Sequence, residues 1–222
     1  MEKLVVAFFP GHSIEHQGAT VRFGPNKGLT EFQFLSKLFD IPKHFHPIRT
    51  DLIDIHFFDP PSRYKKDIPY SEVFESKFRF LEQLQSFYVA TEQKAKILGF
   101  DIHLNSTEKE KTLASRTEIL HKTEDPNITK LYEAFAWSYA ALEFGMHTPW
   151  KVHHVQDRTL YFLDNLSEKL INVHTAILEL TFINSILRQG WLSDIETYNK
   201  TRIALQRAGI LTAGRFYLKN NL

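Results

Sequence analysis

The chain has 222 residues, 43% of them apolar, enough to bury a sizeable core in one large domain or two small ones. Its 27 basic and 26 acidic residues leave a net charge of +1, no electrostatic footprint for nucleic acid or for an anionic membrane. Cysteine is absent, which excludes disulfides and thiolate metal sites; any metal must be held by His, Asp or Glu.

Residues 3–9 are an apolar, β-prone run that stops at Pro10-Gly11, with His12 directly after the stop. One lysine precedes the run and no small-residue cleavage site follows it. It reads as a first strand rather than a signal peptide, so delivery outside the cell would need another route. Residues 29–39 (LTEFQFLSKLF) place Leu29, Phe32, Leu35 and Leu38 or Phe39 at helical spacing, with Thr30 near the cap and Glu31 at the start. Residues 51–58 are strand-like, and Asp59-Pro60-Pro61-Ser62 is a break. The pattern predicts a long helix over 70–96, with Phe74, Phe78, Leu81 and Leu84 on one face.

A strand follows over 97–104 and a short one over 116–121. A helix is expected over 127–145, another over 161–170, a buried strand over 174–183 and a closing amphipathic helix over 192–213, capped by Ser193 or Asp194. No repeat or low-complexity segment interrupts the series, and no run approaches the roughly 18 apolar residues of a membrane span. Strands alternating with helices of this length predict a single α/β domain over 1–222: a mostly parallel, twisted sheet with helices on both faces. Ligands of such sheets gather at the carboxyl ends of the strands.

His12, Glu31 and His103 each stand at the edge of a regular element. Two histidines and a carboxylate of this kind are the ligand set of a catalytic zinc site with one open position. Asp54-Ile55-His56 reads like Asp101-Ile102-His103. His56 runs on into Phe57-Phe58, whereas His103 is followed by Leu104-Asn105-Ser106, which ends a strand; a ligand wants the second context. Glu179 lies inside the run Thr175 to Phe182, where a charge is costly without a partner or a task. It is the candidate general base, the plainer alternative being a strand-edge glutamate paired with a lysine. His44, His46, His147, His153 and His154 lie in loop-like sequence and are expected to be solvated. The charged stretch 106–126, with Glu108, Lys109, Glu110, Lys111 and Lys122, reads as a solvated loop or a charged groove rim. Arg116 and His121 match the R-x4-H spacing of certain helical ribonucleases, but on a segment that reads as strand the motif lacks its context.

In their order, these segments resemble the zinc-dependent N-acetylmuramoyl-L-alanine amidases of the amidase-3 type over about 3–212. Pro10-Gly11-His12 and Gly18-Ala19 match the family's first strand end, and Gly28-Leu29-Thr30-Glu31 its first helix start. Asp101-Ile102-His103-Leu104-Asn105 is similar to a Ser-Ile-His-x-Asn strand end. Arg116-Thr117-Glu118 resembles a Gly-x-Glu strand, and Leu178-Glu179-Leu180-Thr181-Phe182-Ile183-Asn184 a Leu-x-Glu-x-Gly-Phe-x-x-Asn strand; Arg202-Ile203-Ala204 is similar to the closing helix. The chain departs from the pattern at Ser13 and Thr181 (Gly in the family), at Asp101 (Ser) and in a somewhat long interval between His12 and Glu31.

The resemblance implies zinc held by His12, Glu31 and His103, with Glu179 as the catalytic carboxylate. It implies hydrolysis of the amide between N-acetylmuramic acid and L-alanine in peptidoglycan, in an endolysin-like, bacteriolytic setting. A zinc peptidase acting on another amide, or a non-catalytic wall-binding module on the same fold, are the alternatives.

Overall fold

The computed structural model describes residues 2–41, 48–106, 112–156, 159–165, 170–194 and 196–220. Six strands form one sheet in the order β2-β1-β3-β6-β4-β5. They are β1 (Lys3–Pro10), β2 (Ile53–Phe57), β3 (Ala95–Asn105), β4 (Thr117–His121), β5 (Trp150–His154) and β6 (Val173–Phe182). All neighbours run parallel except β4 and β6, which are antiparallel. The mostly parallel α/β sheet expected from the sequence is the one observed.

Strand side chains alternate between the two faces, and each face has its own core. Leu4, Val6 and Phe8 of β1, Leu98, Phe100 and Ile102 of β3, and Ala176, Leu178 and Leu180 of β6 pack on one side. There they meet α1 (Glu31–Phe39), α3 (Pro126–Phe144) and α6 (Thr197–Asn220) through Phe34, Phe135 and Leu205. Val5, Ala7 and Phe9, with Ile97 and Ile177, pack on the other side against α2 (Tyr70–Ala90) and the single turn α4 (Tyr161–Asp164), through Phe74, Leu81 and Phe162. Burial on both faces is why the central strands read as continuous apolar runs. No helix among the described residues is long and apolar enough to cross a membrane.

Several boundaries differ from expectation. The helix predicted over 70–96 ends at Ala90, because Glu92 takes a left-handed φ of 54° and turns the chain into β3, which starts at Ala95. The strand β5 carries His153 and His154, read from sequence as loop; it is a half-exposed edge strand with no apolar run to announce it. The helix expected over 161–170 is one turn, and 166–169 lie outside the described residues. The closing helix is two: α5 (Gln189–Ser193) and α6, with the Asp194 carboxylate accepting from Glu196 N–H ahead of α6.

Phe100 is fully buried at the centre of the first core, its ring 4.6 Å from Phe135, 5.6 Å from Tyr132 and 5.9 Å from Phe8. Phe100→Ala should cost roughly 3–5 kcal/mol through lost burial and the cavity left behind. Urea unfolding should show this as a lower midpoint at unchanged slope.

Candidate metal centre

The centre lies where β1, β3 and β6 end. The chain leaves β1 through Gly11, whose N–H donates to Ile102 O at 2.8 Å, into His12 at φ 58°. That conformation is unfavourable for a residue with a Cβ and persists only when its surroundings fix it. Here Arg63, with no solvent exposure, donates to His12 O at 3.2 Å and to Gly11 O at 3.3 Å, while His12 N–H donates to Tyr70 Oη at 3.1 Å. Asp59 pairs with Arg63 at 3.2 Å, and Phe32 lies under its guanidinium at 4.8 Å. Neither Arg63 nor Tyr70 was singled out by sequence, since each acts on backbone far from it along the chain.

Glu31 is the first residue of α1, behind a Thr30–Gln33 capping box. A helix N-terminus favours a carboxylate. Its Oε2 accepts from Ala19 N–H at 2.5 Å and its Oε1 from Leu104 N–H at 2.8 Å. Burial would raise its pKa, but the His103 and His12 side chains outweigh burial and hold it at about 2.

His103 comes from β3. Its Nδ1 faces His12 Nε2 at 3.1 Å and Glu31 Oε1 at 3.8 Å, and His12 Nε2 lies 3.2 Å from Glu31 Oε1. Four zinc donors at 2.0–2.1 Å from the ion stand about 3.3 Å apart; two edges of this triangle, 3.1 and 3.2 Å, are close to one face of such a tetrahedron, and the third, at 3.8 Å, is longer. Two imidazole nitrogens and one carboxylate oxygen are a borderline-soft donor set suited to zinc. The trio is the group that could hold a metal ion among the described residues. Burial would lower the His103 pKa, but Asp101, Glu31 and Glu179 outweigh it and raise it to about 10, so protons compete with a metal for this site.

Two glycines keep the space clear. A Cβ on Gly18, at φ 73°, would stand 2.5 Å from the His12 ring and 2.6 Å from Glu31 Oε2; one on Gly11 would stand 2.5 Å from the His103 ring. His56 is elsewhere, on edge strand β2 with its ring 5.9 Å from Phe80.

Strand register sets the rest. His103 pairs with Glu179 across β3–β6, and Glu179 with Glu118 across β6–β4. Glu118 is held by Asn105 Nδ2 at 2.5 Å and by Arg116, which also stacks on Phe182. Glu179 has no ion pair among the described residues, and its buried Oε2 has no hydrogen-bond partner, so the lysine-paired alternative is not found there. Burial pushes its pKa up to about 8; nearby His103 opposes this, while Glu31, Glu118 and Asp101 add to it. A cavity of about 510 Å³ opens beside it, lined by Asn105, Arg116, Glu118, His153 and Phe182.

Of the expected charged rim, Lys122 pairs with Asp164, and residues 107–111, with Glu108, Lys109, Glu110 and Lys111, lie outside the described residues. So do His44 and His46. Arg116 and His121 do not form an R-x4-H pair: an odd spacing on extended chain sends them to opposite faces, Arg116 to Glu118 and His121 against Tyr132.

No protein-family model matches the chain, and no curated protein matches it. Solved structures do resemble it in fold. N-acetylmuramoyl-L-alanine amidase AmiC2 of Nostoc punctiforme superposes with a TM-score of 0.58 at 14% identity, over 97% of each chain. The CwlD amidase of Clostridioides difficile, solved with the GerS lipoprotein, gives 0.56 at 15% identity over 98% of this chain and 99% of that one. An N-acetylmuramoyl-L-alanine amidase of Clostridium difficile 630 gives 0.54 at 13% identity over the full length of both. The fold is that of these amidases.

The raised Glu179 pKa carries a stability signature in protein stripped of metal by a chelator. The folded state holds this proton more tightly than the unfolded chain, whose glutamate ionises near 4.5. The contribution is therefore complete below about pH 4.5 and is lost as pH rises through about 8. Glu179→Gln lacks it. Relative to wild type, the variant should gain stability between pH 5 and pH 8, by at most roughly 1.4 kcal/mol per pH unit. Denaturant melts of both proteins across that range test this; a constant difference would place the Glu179 carboxyl in a water-like environment.

Proposed function

We propose that this chain is a zinc-dependent amidase that hydrolyses the bond between N-acetylmuramic acid and L-alanine in peptidoglycan. His12, Glu31 and His103 would hold the ion, and Glu179 would serve as general base. One observation carries the reading: three metal-type donors converge beside a carboxylate whose buried Oε2 has no partner among the described residues, on the fold of solved N-acetylmuramoyl-L-alanine amidases. The bacteriolytic, endolysin-type setting rests on the sequence resemblance alone.

Bound there, zinc supplies Lewis acidity, making water acidic enough to lose a proton near neutral pH and polarising the amide carbonyl. Glu179 stands one strand from His103 and lines the cavity beside the trio, the side from which an attacking water would be activated in this reading. Its ionised form takes the water's proton. Its neutral form, favoured by burial, returns that proton to the departing alanine nitrogen. Asn105, Arg116 and Glu118 present donors and acceptors along the cavity, where a peptide stem would need them. A non-catalytic module has no use for Glu179, since a buried carboxylate oxygen with no partner among the described residues costs stability without serving the core.

Two substitutions separate the roles. Glu179→Gln should keep fold and zinc while turnover falls roughly 10²–10⁴-fold, the usual contribution of a general base. His12→Ala should lose zinc, thermal stability and activity together. Zinc content, melting temperature and mass analysis of products from purified peptidoglycan provide the readouts. Stem peptides with a free L-alanine amino group are the expected product; cleavage only between amino acids of the stem would make the enzyme a peptidase. Near wild-type turnover by Glu179→Gln would remove that residue from the mechanism.

A further inference from the structure

Beneath the trio, on the α2 side of the sheet, lies an ion pair that the chemistry above does not use. Lys77, from the middle of α2, is fully buried, and its Nζ lies 2.5 Å from Asp101 Oδ1. The phenyl rings of Phe74 and Phe162 flank the ammonium at 4.7 and 5.7 Å. Asp101 is 1% exposed, and its second oxygen, Oδ2, lies 3.1 Å from His103 Nε2. Asp101 and His103 are two residues apart on β3, so they share a face of the strand.

Stability alone is a weak reason for a pair this deep, because burying two charges costs about as much as their attraction returns, and apolar replacements of similar volume often serve as well. We infer that Lys77 and Asp101 are positioning residues: Lys77 fixes the Asp101 carboxylate so that it accepts the Nε2 proton of His103, leaving the Nδ1 lone pair to the metal. The inference rests on the reading of His12, Glu31 and His103 as a zinc site. A carboxylate only accepts hydrogen bonds, so an Nε2 bonded to Asp101 must carry the hydrogen. That leaves Nδ1, the atom facing His12 Nε2 and Glu31 Oε1, as the ligand nitrogen. Outer partners of this kind set the orientation and tautomer of a ligating histidine, and losing them typically costs 10- to 100-fold in metal affinity.

The test is zinc affinity, measured by competition with a chromophoric chelator, on wild type and three variants. Lys77→Met/Asp101→Leu removes the pair and the acceptor together; its metal-free form should melt within a few degrees of wild type while zinc affinity falls roughly 10- to 100-fold. Lys77→Met/Asp101→Asn leaves an amide oxygen free for Nε2–H and should stay within a few-fold of wild type. Asp101→Asn alone lets Lys77 claim that oxygen and turns the amide nitrogen toward His103, so its affinity should fall as far as in the Leu variant. This last contrast carries the test even if the Leu variant does not fold. In parallel, ¹⁵N-histidine spectra of the zinc-loaded wild type should show His103 protonated at Nε2 and metal-bound at Nδ1.

Equal affinity in all four proteins, equal loss in both Asn variants, or protonation at Nδ1 would each overturn the inference. A wild type that takes up no zinc would instead remove the metal reading on which it stands.

Discussion

The Glu31 carboxylate is the tie on which the centre depends. It starts α1, which packs on one face of the sheet, yet it accepts from Leu104 N–H at the end of β3 and from Ala19 N–H in the loop that follows β1. One side chain thus pins a helix start, a strand end and a loop to a common point. His12 and His103 converge on that point because their own segments are held there. A helix start supplies partial positive charge, two backbone N–H groups supply hydrogen bonds, and two imidazoles supply the counter-charge that keeps the group ionised despite burial.

On the opposite face the problem is reversed. Asp101, His103, Glu179 and Glu118 occupy the strand face that also carries Val5, Phe9, Ile97 and Ile177, and Lys77 of α2 packs against it. Among the described residues, each charge there is paired except one. Lys77 has Asp101, Asp101 also has His103, and Glu118 has Arg116 and Asn105. Glu179 stands in the middle of this series, its buried Oε2 without a hydrogen-bond partner among those residues. Its neighbours Glu118, Glu31 and Asp101 are carboxylates, which adds to the effect of burial in favouring the protonated form. These surroundings hold the carboxyl protonated near neutral pH in the metal-free protein.

Much of this was legible in the sequence where local chemistry and element ends coincide. Pro10-Gly11 after an unbroken apolar run marks the end of a buried strand, Thr30 ahead of Glu31 marks a helix start, and Leu104-Asn105 after His103 marks a strand end. Glu179 stood out because one charge in the apolar run from Thr175 to Phe182 needs a reason. What stayed hidden depends on contacts distant along the chain. Arg63 reaches backbone carbonyls 51 and 52 residues away, and Lys77 reaches a carboxylate 24 residues on. In sequence both are ordinary cations of a polar segment. The strand β5 was hidden for another reason: Trp150 to His154 is a half-exposed edge, where pairing with β4 rather than burial makes the strand. The end of α2 was missed because Thr91 to Lys94 suit a helix well enough, and only the left-handed turn at Glu92 stops it.

The reversal of β4 gives the site its second half. In a wholly parallel sheet, every strand would bring its carboxyl end to the functional edge. Here β4 runs against β6, so it brings its amino end, and β5 follows it in parallel. Glu118, the second residue of β4, thereby comes to lie opposite Glu179 near the end of β6, with Arg116 just ahead of it and His153 of β5 3.6 Å from its carboxylate. Had β4 run parallel, its first residues would lie at the far edge and the cavity beside Glu179 would be walled by whatever ended the strand. The antiparallel pair therefore does at the sheet's edge what a loop does in simpler parallel folds: it adds charged side chains beside Glu179, on rigid backbone, at a register fixed by ladder hydrogen bonds.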